Sequence, residues 1–296
     1  MTTGVLLMTY GAPQDDADVP AYLARVRGGR APDDTLVAEM RRRYERIGGS
    51  PLVRITESQA AALEIELGAD YRVRAGMRYS APSIADRVRE LGAVERIVGV
   101  VLSPQWSPLL MRGYVDLVEG AADVPTIVAG AWHRDAAFVA ALAARLGAAR
   151  RSFPGAPVLL TAHSLPRRIF DAEPQYIDQL RETGALVAAA AGLRAEDWRW
   201  AYQSAGHTQE EWLRPDLKEL FPVLAAGGHR DVLVAPVQFL ADHLEVLYDL
   251  DVAAAAEAEA SGLRYHRVPM LNCDPAFIAA LAGIVRRAMS EVPPPV

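Results

Sequence analysis

Two stretches of the chain repeat one another. Leu6-Leu7-Met8-Thr9-Tyr10-Gly11-Ala12-Pro13 returns, altered, as Leu159-Leu160-Thr161-Ala162-His163-Ser164-Leu165-Pro166. Val101-Leu102-Ser103-Pro104-Gln105-Trp106 returns, with one residue of slippage, as Leu233-Val234-Ala235-Pro236-Val237-Gln238-Phe239. Each string begins as a short apolar run and ends in turn-forming or polar residues, the pattern of a strand covered on both faces. Strands are predicted at Val5–Thr9, Arg72–Met77, Ile97–Leu102 and Thr126–Ala131, then at Val158–Ala162, Arg199–Gln203, Val232–Ala235 and Leu263–Val268. Amphipathic segments between them predict helices at Asp34–Ile47, Ser58–Leu67, Ser83–Leu91, Ala136–Ala149, Tyr176–Ala191 and Pro275–Met289. Strand and helix in alternation call for parallel sheets flanked by helices. Four strands in each half predict two similar α/β domains, residues 1–150 and 151–296, joined near Arg150–Pro157. Their strand ends would face each other across a cleft suited to a ligand.

Composition narrows the function. With 31 basic and 37 acidic residues the net charge is -6, which argues against a general nucleic-acid binder. The single cysteine, Cys273, excludes an internal disulfide framework and any four-cysteine zinc or iron–sulfur site within one chain. The first residues lead into an apolar run without a basic region, and charges interrupt every apolar stretch short of the ~20 residues of a membrane span. A cytoplasmic protein is expected. Glycine fingerprints for dinucleotides and phosphates are missing, as is a Gly-x-Ser-x-Gly elbow.

The candidate chemistry lies at strand ends. His163 closes an apolar strand, where it is either a ligand group or a half-buried histidine bonded to nearby backbone. His229 follows Gly227-Gly228 in a turn and reads as a solvent residue, and His207 precedes a helix start headed by Thr208. In Ala241-Asp242-His243-Leu244-Glu245-Val246-Leu247-Tyr248-Asp249-Leu250-Asp251, a helix would carry Glu245 and Asp249 on one face. That face is either a solvated acidic surface or a site for a cation or a proton. An imidazole and a carboxylate in one cleft suit a borderline divalent metal such as iron, and also suit proton removal from a weak acid. Arg25, Arg27 and Arg30 surround Gly28-Gly29, and Arg41-Arg42-Arg43-Tyr44 precedes Ile47-Gly48-Gly49-Ser50-Pro51. Most of these arginines read as surface residues, with one or two left to bind carboxylates.

Taken together, the strings resemble the ferrochelatases, which insert ferrous iron into a porphyrin. The resemblance runs from Leu6 to about Ala280. It rests on Tyr10-Gly11-Ala12-Pro13, Arg43-Tyr44 with Ile47-Gly48-Gly49-Ser50-Pro51-Leu52, Ser103-Pro104-Gln105-Trp106-Ser107, Ala162-His163-Ser164-Leu165-Pro166, Tyr202-Gln203-Ser204 with Gly206, and Ala241–Asp249. It implies the chelatase fold, two Rossmann-like domains with the porphyrin between them.

The resemblance further implies that His163 and Glu245 form the iron and proton-handling pair, with Tyr10 approaching the opposite face of the ring. Arg27, Arg43, Tyr44, Ser50 and Tyr114 match positions that contact the porphyrin or its propionates. Fe²⁺ is then a substrate, with no organic cofactor and no iron–sulfur cluster. Coproporphyrin III is the expected ring. Protoporphyrin IX is the alternative, and a non-catalytic haem or porphyrin carrier is a second class. A monomer with transient partners in the haem pathway is expected. Two departures stand out: the Gly48-Gly49-Ser50 turn is one residue shorter than the common family pattern, and Ala253 stands where relatives often carry a carboxylate.

Overall fold

The computed structural model describes residues 2–206 and 210–290. The predicted helix start at His207 and Thr208 lies outside them. In the first half the chain runs β1 (Thr3–Thr9), α1 (Val19–Val26), α2 (Asp34–Ile47), α3 (Leu52–Leu67), β2 (Tyr71–Met77), α4 (Ile84–Leu91), β3 (Arg96–Val101), α5 (Pro108–Glu119), β4 (Thr126–Val128) and α6 (Ala136–Ser152). The second half runs β5 (Val158–His163), α7 (Arg167–Ala172), α8 (Pro174–Ala190), β6 (Trp198–Gln203), α9 (Leu217–Ala226) and β7 (Asp231–Pro236). It finishes with α10 (Leu244–Leu247), α11 (Ala255–Ala260), β8 (Arg264–Arg267) and α12 (Pro275–Ser290).

Both sheets have four parallel strands, ordered β2-β1-β3-β4 and β6-β5-β7-β8. The two orders are the same once the second half is renumbered, which is the duplication the strings foreshadow. The central strands are apolar throughout because helices cover both faces: Val5, Leu6, Leu7 and Met8 are fully buried, as are Val158, Leu159 and Leu160. In this register Met8 lies beside Val101 and Thr161 beside Pro236, so the loops after β1, β3, β5 and β7 emerge together.

Helix starts are fixed locally. The Asp33 carboxylate accepts from the Leu36 N–H, Ser83 and Asp86 form a reciprocal cap, and Asp135 accepts from the Phe138 N–H. The helix α12 packs back against α3 and α6, so one apolar core runs from the first sheet through Phe138 and Phe277 to Leu160 and Leu233.

Three local expectations need correction. β4 stops at Val128 rather than Ala131, because Ala129 turns away to bond only the Gly99 carbonyl at the sheet edge. α3 begins at Leu52, six residues before the predicted Ser58, since Pro51 starts it. The acidic segment is not one regular helix. After α10, the Tyr248 carbonyl accepts from both Val252 and Ala253, opening a wide π turn over Asp249–Ala254. Val246, Leu250, Ala254 and Ala258 are all buried at a spacing of four. A regular α-helix would rotate such a series by about 40° per step; the wide turn keeps it facing the core.

Candidate active site

Between the two sets of strand ends lies a cavity of about 650 Å³, lined from both halves. That volume falls within the usual range for a small-molecule site. Tyr10, Tyr44, Ser50, Tyr114, His163 and Glu245 all line it. The structure thus brings together six of the eight residues singled out from the sequence.

The remaining two stand outside the lining. Arg27 is exposed at the end of α1, next to the cavity residue Val26. Arg43 turns toward protein: its Nε meets Glu39 at 2.7 Å and its Nη1 reaches Asp249 at 3.4 Å. Arg42 donates to the Tyr248 hydroxyl at 2.8 Å, so α2 of the first half grips the acidic segment of the second.

On the second-half wall, two imidazoles converge on one carboxylate. The Nε2 of His163 lies 3.7 Å from Glu245 Oε2, and that of His243 lies 3.8 Å from the same atom. In each ring Nδ1 contacts a backbone carbonyl, that of Ser164 for His163 and that of Ala241 for His243. A carbonyl can only accept, so both Nδ1 atoms carry hydrogen, and in the neutral rings the lone pair sits on Nε2, facing Glu245. The His163 backbone is held by Gln238, whose side-chain carbonyl accepts from its N–H at 2.8 Å and whose amide donates to the Tyr176 hydroxyl.

Charge follows geometry. Burial alone would raise the Glu245 carboxyl, but the charge of His163 and the hydrogen bond and charge of His243 outweigh it and pull the value down to about 2. Its side chain remains 39% exposed, toward the cavity. Burial pushes His243 down, yet its bond to Glu245, that carboxylate's charge and the Ala241 carbonyl leave it raised overall. Asp249 is raised, first by burial and then by Glu245, against the pull of Ser204 and Arg43.

The first-half wall is phenolic. Tyr10 sits just beyond β1, 43% exposed, its ring 4.6 Å from that of Tyr79. Burial and the neighbouring Tyr79 and Glu245 push its phenol well above the ordinary value, against the Arg78 guanidinium. Tyr44 and Tyr114 are buried and raised for the same first reason. The following Gly11 has φ +93, and a Cβ there would strike Ser80 and come within 3.0 Å of Met77. Only glycine lets the chain turn so sharply and leave Tyr10 at the cavity. The shortened turn at Gly48 and Gly49, with φ of 72 and 87, still delivers Ser50 to the lining.

Sequence reasoning missed Arg78, Tyr22, His243 and Gln238, which also line the cavity. Arg78 lies over the rings of Tyr79 and Tyr114, 4.9 Å from each centroid. It follows β2 directly, so the strand-end rule that picked out His163 would have found it.

The Ser103–Ser107 string has a different task. Gln105 donates to Thr183 at 2.8 Å, Trp106 N–H to Gln179 at 2.7 Å, and Leu109 N–H to Glu173 at 2.8 Å. These bonds fasten the loop after β3 to α8 and so fix the two walls relative to each other. His229 is exposed. Among the described residues, no helix is long and apolar enough to cross a membrane.

Two similar parallel α/β halves with a ligand cavity at their facing strand ends define a two-domain chelatase fold. Solved structures agree. CbiX, described as the terminal enzyme of sirohaem biosynthesis in denitrifying bacteria, aligns with TM-score 0.58 at 15% identity, over 97% of this chain and 99% of that one. SirB from Bacillus subtilis aligns at 0.54 and 13% identity, over 97% and 96%.

The ferrochelatase family model matches residues 2–289. The ferrochelatase of Deinococcus radiodurans is 38% identical over 98% of this chain and 96% of its own length. The coproporphyrin III ferrochelatase of Geobacillus kaustophilus is 36% identical over 98% and 97%. The chain belongs to the ferrochelatase family and is a metal chelatase enzyme of haem biosynthesis.

Proposed function

We propose that the protein inserts Fe²⁺ into coproporphyrin III, giving coprohaem and releasing the two pyrrole protons. The observation that carries this reading is the cavity with a histidine–carboxylate pair on one wall and a tyrosine on the other. Residues 1–150 then supply the Tyr10 wall and residues 151–296 the His163/Glu245 wall. Glu245, held near 2, stays a carboxylate at neutral pH and is suited to attract the metal ion. His163 presents Nε2 toward the same point as a borderline ligand for ferrous iron. His243, raised beside Glu245, is placed to exchange protons with the pair.

Insertion also needs a ring bent so that its nitrogen lone pairs leave the plane. Binding energy from the ring's edge can sustain that bend. The phenolic wall made by Tyr10, Tyr44 and Tyr114 gives the ring a surface to press against, and Ser50 a hydroxyl at the rim.

The ring's identity is read from its carboxylates. Arg78 lines the cavity and Arg27 stands beside it, and neither forms an ion pair among the described residues. Two unneutralised guanidiniums suit a ring with four propionates better than one with two. Several relatives in the 32–36% identity range carry the coproporphyrin III name.

The test is anaerobic absorbance spectroscopy with Fe²⁺ and, in parallel, coproporphyrin III or protoporphyrin IX. Metallation of coproporphyrin alone is expected, with Arg27→Ala weakening that ring far more than protoporphyrin. Turnover of protoporphyrin alone overturns the substrate. Binding of either ring without metallation makes the protein a carrier. His163→Ala should abolish insertion while the ring still binds, and near-normal turnover removes His163 from the mechanism.

A further inference from the structure

The segment that bears His243 and Glu245 contains a single turn of α-helix, too short to fix its own position. One side chain ties it down at both ends. Arg267, the last residue of β8, lies across the segment with 14% of its side chain exposed. Its Nε and Nη2 hold Asp251, beyond Glu245, at 2.6 and 2.9 Å. The same Nη2 reaches Asp242, ahead of Glu245, at 3.4 Å. Nη1 donates to the Val268 carbonyl at 3.2 Å, which orients the fork.

Asp242 is gripped a second time. Asn272 donates to its Oδ2 at 2.7 Å and accepts from its N–H at 2.9 Å, while the Asn272 carbonyl accepts from buried Gln59 on α3 at 2.7 Å.

We propose that Arg267 is a positioning residue for the metal-handling pair: by bridging Asp242 and Asp251 it sets where Glu245 stands relative to His163. This rests on the assignment of His163 and Glu245 to iron handling. Arg267 is not part of the cavity lining, so it acts only through the segment it spans. Asp242, Glu245, Asp249 and Asp251 crowd four carboxylates into ten residues. Without a guanidinium between the outermost two, their repulsion favours opening the turn. A lysine keeps the charge but, as a point donor, cannot hold two carboxylates in two directions.

The experiment compares Arg267→Ala with wild type in anaerobic iron insertion, and in calorimetric titration with Zn²⁺ alone. KM for Fe²⁺ should rise, and Zn²⁺ affinity fall, by about 10–100-fold, the usual effect of losing a partner that orients a ligand. Porphyrin affinity, read by fluorescence quenching, should stay at wild type. Guanidinium ion added to the buffer should restore part of the loss in Arg267→Ala but none in Glu245→Gln, and Arg267→Lys should remain impaired. Asp251→Asn cuts one arm only and serves if Arg267→Ala does not fold; the same iron-only pattern is expected at smaller size.

Wild-type KM for Fe²⁺ in a folded variant overturns the proposal, as does a loss shared equally by iron and porphyrin. Glu245→Gln separates the two readings. Should it leave iron KM and Zn²⁺ affinity unchanged, the assignment of Glu245 falls and the positioning role with it. Should it impair both while the Arg267 and Asp251 variants do not, only the positioning role falls.

Discussion

Replacing Glu245 by glutamine keeps the shape of the side chain and removes one negative charge from between two imidazoles, 3.7 and 3.8 Å away. At that range the attraction for a unit charge is about 1 kcal/mol in water and about 4 kcal/mol at an effective dielectric near 20. The carboxylate is 39% exposed to the cavity, which places it in the lower half of that range. A dication feels twice the field, so the expected loss is about 2–4 kcal/mol, or roughly 30- to 1000-fold in kcat/KM for iron. The assay is the anaerobic initial rate against Fe²⁺ concentration at saturating porphyrin, with porphyrin affinity measured separately. The loss should fall on iron alone. A change under about threefold, or an equal loss in porphyrin affinity, refutes the reasoning. A second readout comes from the His243 ring in an NMR titration. Because Glu245 raises His243, its pKa should fall in the variant, and no movement would mean that the two groups do not interact.

The same pair makes stability depend on pH. Glu245 is lowered from 4.5 to about 2, so its contribution is complete above 4.5 and disappears as the pH falls through 2. His243 is raised from 6.5, so its contribution is complete below 6.5 and disappears as the pH rises through its folded value. The thermal midpoint of wild type relative to Glu245→Gln should therefore be most favourable between pH 4.5 and 6.5, and a pH-independent difference would contradict the pairing. Thr183→Val strands the buried Gln105 amide, whose Oε1 already has no partner, and urea unfolding should register a loss of about 1–3 kcal/mol. Adding Gln105→Leu should cost less than the two single changes summed; strict additivity would show that the bond does not join the halves. Gly11→Ala forces a Cβ against Ser80 at φ +93 and should cost about 1–3 kcal/mol while weakening porphyrin binding through Tyr10. An unchanged midpoint and unchanged binding would show that the turn does not set Tyr10.

Much of the architecture was legible in the residue order. Parallel strands buried on both faces have to be continuous apolar runs, so β1, β2, β3, β5 and β6 stand out within a residue or two of their ends. The repeat around Tyr10 and His163 located the loops that line the cavity, because position at a strand's carboxyl end is a local property. Short elements were harder. α1 and α5 begin at turns beside the cavity and cover its mouth, and their patterns are too brief for periodicity to separate them from loop. The π turn after Tyr248 depends on which carbonyl two amides choose, and only burial of Leu250 and Ala254 against the sheet decides that.

Distance along the chain marks the final division. The sequence by itself determined two like halves of alternating strand and helix, the strand-end positions of Tyr10 and His163, and the carboxylates of the segment from Asp242 to Asp251. These follow from hydrophobic period and chain direction, which neighbours in sequence carry. Tertiary structure decided that Arg43 meets Asp249 across 206 residues, that His243 shares Glu245 with His163, and that Arg267 spans Asp242 and Asp251. An arginine on a helix face or strand end has the same local pattern whether it faces water, a substrate or a carboxylate. Its partner is set by how the two sheets stack, because ion pairing acts over a few ångströms of space and takes no account of separation along the chain.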